Sequence, residues 1–318
     1  MHSLSTSANA GSDHDSPWKS AIEVFFQPCM ELLFPRIAAQ LDWSHEATFM
    51  DKELQKLTSD SSDTRRHVDK LIRVRSLNGE FHWILLHIEV QGEPEAAFSK
   101  RMFTYHYRLL ERFDEPVVSM AILTDTRKSF RPTHYHQELM GCVIRFDFIC
   151  VKLLDLQDQL DDILASDNIF ALLVAAQLTA KQVRNIRQRT DAVLSFYRMA
   201  RKQGYSRQHI FHMHDFIEWM IRIPEQELDY YNEHINLIEQ EDETMGYMAI
   251  YKRESFTQGV EQGIEQGRSA TLRKQLQLKF HELDATILAR LDNASEAELE
   301  LWTERILFAD SLEAVFEA

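Results

Sequence analysis

The chain has 318 residues, 44% hydrophobic and 27% charged, with a formal net charge of −15. That length holds one large domain or two modest ones, and only 9 glycines and 7 prolines point to a helix-rich chain. Cys29, Cys142 and Cys150 make neither a CxxC pair nor a disulfide-dense spacing, which excludes a disulfide scaffold and fits a reducing, cytoplasmic compartment with buried thiols.

In chain order, residues 1–16, "MHSLSTSANAGSDHDS", are small and polar and are expected to form a disordered tail, neither leader peptide nor anchor. Apolar runs such as "IFALLVAA" fall well short of the ~20 residues of a membrane span, so no membrane partner is expected. From Pro17, the spacing of Ile22, Phe25, Phe26, Cys29 and Leu33 predicts one amphipathic helix with an interruption at Pro28. "MDKELQKL" follows as a second helical piece.

The segment "HVDKLIRVRSLNGEFHWILLHIEVQ" reads as a β-hairpin, with Asn78-Gly79 supplying the positive φ angles of a tight turn. Period 2 puts Ile84, Leu86, Ile88 and Val90 on one face, and Trp83, Leu85, His87, Glu89 and Gln91 on the other. Across the ladder, Asp69 can approach Glu89 and Gln91. "EAAFSKRMFTYHYRLLERF" reads as a helix of about five turns. "PVVSMAILTD" and "VIRFDFICVKLL" read as two strands separated by "TRKSFRPTHYHQELMG", with His134 and His136 in that loop. The order α, hairpin, α, β, β predicts an α/β core over 17–156, a mixed sheet with helices against it.

Residues 157–256 are helical in pattern throughout. Gly259, Gly263 and Gly267 make 257–268 a glycine-spaced linker or weak helix, since each glycine costs a helix about 1 kcal/mol. A helix-to-helix contact between two copies of the chain, hence a homodimer, is the alternative use of that spacing. Residues 269–318 read as a short helical module, with Ser295 as the N-cap of "EAELELW".

An acid on one strand and Glu-x-Gln on the next suits a divalent cation. Asp69 and Glu89 offer hard oxygens, the Val90 carbonyl a third, and Gln91 can orient a water. Hydrogen-bonded polar groups at the solvent end of a sheet have the same sequence signature, and spacing does not separate the two. On the following helix Arg101, Tyr105 and Arg108 share a face, where they hold phosphates or simply cover the surface.

Acidic overall charge argues mildly against nucleic acid, but the charge is uneven: 181–207 carries eight Lys/Arg against one acid, while 225–243 carries eight acids and no Lys/Arg. Arg184, Arg187, Arg189, Arg198, Arg201 and Lys202 are therefore either a DNA-backbone contact or an ordinary charged helix surface. His209, His212 and His214 cannot all meet one metal from a regular helix, so a zinc site is not expected there.

The run "DKLIRVRSLNGEFHWILLHIEVQGE", with "FSKRMFTYHYRLLERF" and "PVVSMAILTD" after it, resembles the recombination-promoting nuclease (Rpn) family, often labelled putative transposases, of the PD-(D/E)XK superfamily. "FIEWMIRIPEQE", "GVEQGIEQG" and "ELWTERILFADSLEAVF" extend the resemblance over about residues 17–318. It implies a restriction-endonuclease-like core and a Mg2+-dependent DNA endonuclease, with Mn2+ or Ca2+ as substitutes. It also implies that Asp69 and Glu89 are the metal-binding acids, and that Gln91 stands where many superfamily members have lysine. An acid from the first helix often completes such sites, which nominates Glu23, with Glu53 as its rival.

Overall fold

The first helix breaks before Pro28, for a reason the proline supplies. Pro28 lacks an N–H, and its ring collides with the carbonyl four residues back, that of Val24. Accordingly α1 (Pro17–Val24) stops there, and α2 (Phe26–Leu33) starts after Phe25. In this computed structural model the described residues are 17–58, 68–77, 83–241 and, apart from 282, 293, 295, 307 and 310, 271–316. The tail over 1–16, the Asn78-Gly79 turn, Ser295 and the glycine-spaced segment lie outside them.

After α3 (Pro35–Ala38) and the short β1 (Thr48–Phe49), α4 (Asp51–Thr58) leads into the hairpin of β2 (Val68–Arg75) and β3 (Trp83–Gln91). Helix α5 (Phe98–Phe113) crosses back to β4 (Val117–Leu123). The sheet is five-stranded and mixed, in the order β1-β2-β3-β4-β7, with β7 at Ile149–Lys152. β2 is antiparallel to β3, whereas β3, β4 and β7 are parallel, so the carboxyl ends of three strands share one edge with the start of β2.

Alternation sorts the two faces as the sequence predicts. Leu71 and Leu85 pack under α5 with Leu54 and Leu109, and Ala121 and Leu123 pack with Phe98, Met102 and Phe148. Ile72, Leu86, Ile88 and Val90 are buried on the opposite face.

The segment read as a loop, including His134 and His136, contains a strand. β5 (His134–Leu139) pairs antiparallel with β6 (Cys142–Asp147) as a separate two-stranded ribbon. Its reversal places Met140 at φ 52° and Gly141 at φ 83°. "HYHQEL" carries no alternation because the ribbon is solvated on most of its surface, and Met140 is not a residue that announces a positive φ. At its base, Tyr135 stacks on Phe103 of α5 at 5.0 Å and Phe146 lies 5.8 Å from the same ring. "VIRFDFICVKLL", read as one strand, is thus β6 and β7 joined at Phe148.

Chain contacts divide the molecule into Met1–Ile235 and Asn236–Ala318. In the first unit the helices after the sheet, α6 (Leu160–Leu164), α7 (Phe170–Gln182), α8 (Ile186–Lys202) and α9 (Arg207–Met220), stand with the sheet segment. α7 is buried continuously from Phe170 to Leu178, as expected of a helix apolar on all sides. Trp18 of α1 packs edge-on to Phe216 at 4.9 Å and against Phe170 at 6.2 Å, and Asn168 donates to the Pro28 carbonyl at 2.9 Å. α10 (Leu228–Glu241) follows.

In the second unit, α11 (271–280), α12 (Ala285–Asp292), α13 (Glu296–Arg305) and α14 (Leu312–Phe316) gather Leu272, Leu276, Leu291, Leu299, Trp302 and Phe316 into one core. Arg290 lies 5.2 Å from both the Trp302 and the Phe316 rings and donates to the Phe316 carbonyl at 2.8 Å. No helix among the described residues is long and apolar enough to cross a membrane.

Candidate active site

The register of the hairpin pairs Asp69 directly with Glu89, and the parallel ladders continue that row to Ala121 and Cys150. Two residues on, Gln91, Leu123 and Lys152 form the next row at the strands' carboxyl ends. Directly opposed residues in an antiparallel pair project to one face with Cβ atoms ~4.5–5.5 Å apart, so Asp69 and Glu89 are neighbours by backbone alone. The Asp69 side chain lies outside the described residues.

Glu89 is fully buried and Gln91 nearly so, yet neither faces hydrocarbon. Arg101, in the first turn of α5, reaches down between them. Its Nε donates to Glu89 Oε1 at 2.9 Å, and its Nη2 donates to the same oxygen and to Gln91 Oε1, the latter at 2.8 Å. Nη1 donates to Glu95 Oε2 at 2.5 Å. Gln91 completes its own bonding by donating from Nε2 to the Glu93 carbonyl at 2.6 Å. Burial works against the charged guanidinium, but the charges and hydrogen bonds of Glu89 and Glu95 outweigh it and raise Arg101 above its ordinary range. Of the face Arg101, Tyr105, Arg108, both arginines are partly exposed, and Tyr105 is buried against the His87 ring at 5.7 Å.

His87, one row behind Glu89, is fully buried, and among the described residues neither ring nitrogen meets a hydrogen-bond partner. Burial, then the nearby His106 and Arg101 charges, push its pKa down from 6.5 to about 3. The folded value lies below the unfolded one, so the neutral ring contributes stability that is full above pH 6.5 and is lost as pH falls towards 3. Between pH 6.5 and 5 this amounts to about 2 kcal/mol. His87→Phe is expected to flatten that slope in urea titrations run at both pH values; an unchanged slope would assign the acid sensitivity elsewhere.

Glu23 stands on the other face of the sheet. Lys70, adjacent to Asp69 and so pointing the opposite way, is buried and donates to Glu23 Oε2 at 2.7 Å and to Asp51 Oδ2 at 2.5 Å. The structure therefore does not bring Glu23 to Glu89. Glu53 is exposed on α4, whereas Asp51, which the sequence did not single out, also accepts from the Leu71 N–H at 3.4 Å.

A second buried pair closes the same edge. Lys152 donates to Asp125 Oδ2 at 2.7 Å and to the Phe130 carbonyl at 3.3 Å, and Asp125 Oδ1 accepts from the Arg127 N–H at 2.8 Å. The signal was available in "ICVK", a lysine at the end of an apolar strand, which must find a partner to be buried. Beside this pair a cleft of about 320 Å³ is lined by Glu93, Pro94, Asp125, Thr126, Arg127 and Lys181, with Lys181 3.6 Å from Glu93.

Two arginines of the basic run on and before α8 are engaged within the fold. Arg187 pairs with Glu227 at 2.8 Å and stacks on Tyr230 at 3.5 Å. Arg189 donates to the Val183 carbonyl at 2.5 Å and to the Ala180 carbonyl at 3.0 Å, capping the end of α7. Arg184 is exposed. Arg189→Ala is accordingly expected to lower stability by about 1 kcal/mol in urea titrations. An unchanged unfolding midpoint would show that the end of α7 does not depend on this cap.

In α9, His214 lies 2.5 Å from the Tyr231 hydroxyl and His209 lies beside the Phe25 ring at 5.6 Å. Among the described residues no group of three or more His, Cys, Asp or Glu stands close enough to hold a metal. Comparison of the chain with protein-family models, with curated proteins and with solved structures returned no match.

Proposed function

We propose that the protein is a metal-dependent DNA endonuclease of the recombination-promoting type, on a restriction-endonuclease-like core. The observation that carries this reading is the Asp69–Glu89 register at the carboxyl edge of the parallel strands, with Gln91 on the same face two residues later. Ligands of open α/β sheets collect at that edge. The donor set fits a hard divalent cation: two carboxylates and the Val90 carbonyl would hold Mg2+, or Mn2+ or Ca2+ in its place. Such an ion, when bound, supplies Lewis-acid polarisation of a phosphate oxygen and a water of lowered pKa.

The chain's own groups divide the remaining tasks. Gln91, fixed by Arg101 on its oxygen and Glu93 on its nitrogen, orients rather than charges the site. Arg127 and Lys181 give the adjoining cleft its cations and suit it to the phosphates of a DNA strand. The buried Asp125–Lys152 pair fixes the ends of β4 and β7 beneath them.

The test is nicking of supercoiled plasmid in Mg2+ by wild type, Asp69→Ala and Glu89→Ala. Cleavage by wild type alone supports the reading, and equal activity in all three assigns it to a contaminant or another site. One observation favours a second reading, a catalytically silent nuclease fold that binds DNA or assembles other proteins: Glu89 already has a cationic partner in Arg101. That reading requires salt-sensitive DNA binding that survives loss of both acids, with no cleavage in any divalent ion.

A further inference from the structure

Arg101 is placed unlike a surface phosphate ligand. Its side chain is 12% exposed, and all three guanidinium nitrogens are committed, two of them to a fully buried carboxylate oxygen. A buried carboxylate requires a positive neighbour, and here the guanidinium is that neighbour. The same Nη2 also takes the oxygen of Gln91, so one group reads both side chains of the Glu-x-Gln pair and lies between them. A divalent cation held by Glu89 would share this small volume with a fixed positive charge, and the two would repel. Among acceptors able to draw a guanidinium away, a phosphate is well matched, since its oxygens fit the same planar fork.

We propose that Arg101 occupies the cation's place at Glu89 in the unloaded protein and yields it when substrate phosphate arrives. Arg101 then opposes divalent-cation loading, and DNA promotes it. The inference rests on the nuclease reading of the Asp69–Glu89 site. It couples the two ligands through one side chain with two sets of partners, Glu89 and Gln91 in one state and a phosphate in the other, so each ligand raises the affinity for the other by the same factor. It also gives Gln91 a reason to be neutral. A lysine at that position would stand against the guanidinium, whereas an amide oxygen helps to hold it.

The test is Mn2+ binding to the full chain, followed by electron paramagnetic resonance of the free ion, for wild type, Arg101→Gln and Glu95→Gln. Each is measured with and without a short duplex made non-cleavable by phosphorothioates. Arg101→Gln is expected to bind Mn2+ at least 10-fold more tightly than wild type, and Glu95→Gln, which loosens Arg101 from its outer partner, about 3-fold more tightly. The duplex is expected to tighten Mn2+ binding to wild type by about 10-fold and to Arg101→Gln by less than 2-fold. Equal or weaker Mn2+ binding by Arg101→Gln overturns the proposal. If Arg101→Gln does not fold, an unchanged affinity in Glu95→Gln together with no effect of duplex on wild type does the same. Tighter Mn2+ binding by the variants with no plasmid cleavage by any form would uphold the Arg101 inference and remove the nuclease reading. Cleavage by wild type with no change in Mn2+ affinity would do the reverse.

Discussion

Asp125→Asn is expected to destabilise the first unit by about 3–5 kcal/mol, lowering its unfolding temperature by about 10 °C. Asp125 and Lys152 are each 2% exposed, so the ammonium left behind has no route to water. The amide oxygen that replaces the carboxylate and the Phe130 carbonyl at 3.3 Å offer the ammonium dipoles in place of a charge. Lys152→Met should be milder, because Asp125 retains the Arg127 N–H at 2.8 Å and lines the neighbouring cleft. The double change Asp125→Leu with Lys152→Met removes both buried charges and should recover most of the loss. Hydrogen exchange of the β4 and β7 amides reports this region separately from the second unit. A loss below about 1 kcal/mol in the single asparagine variant would show that Lys152 finds another partner.

Under the proposed nuclease function, Glu89→Gln is expected to reduce plasmid cleavage by about 10³-fold or more, roughly 4 kcal/mol of barrier, while the protein remains folded. The amide is nearly isosteric with the acid, and its oxygen still accepts from Arg101, so packing under α5 survives. What is lost is the negative charge of Glu89, the residue opposite Asp69 in the strand register. The same change leaves Arg101 less strongly held, so DNA binding without cleavage should persist or tighten in the variant. Retention of more than a tenth of wild-type cleavage would place the chemistry elsewhere.

Much of this arrangement is written in local patterns. Pro28 marks the α1–α2 break to within a turn, because the clash it causes falls on Val24, four residues back. Alternation in "WILLHIEVQ" assigns Glu89 and Gln91 to one face, and the antiparallel pairing of β2 with β3 brings Asp69 opposite Glu89. The illegible part consists of partners distant in sequence. Alternation turns Lys70 away from Asp69, but nothing near it says that it meets Glu23 and Asp51, 47 and 19 residues earlier. Arg101 reads from its spacing as either a phosphate ligand or an ordinary surface residue on a helix face. Only the crossover of α5 back over β3 reveals that its first turn lies above Glu89. β5 was invisible for a third reason, since a strand solvated on most of its surface carries no hydrophobic period, whereas β6 was read as a strand but joined to β7.

The pairing of Asp69 with Glu89 as a cation site bears the whole functional account, and a crystal of the full chain grown with Mn2+ and a non-cleavable duplex tests it most directly. The expected result is an anomalous Mn2+ peak about 2.0–2.3 Å from oxygens of both carboxylates, with Arg101 swung onto a phosphate. A Glu89–Arg101 ion pair left intact, with no peak beside Asp69 at saturating Mn2+, would contradict it.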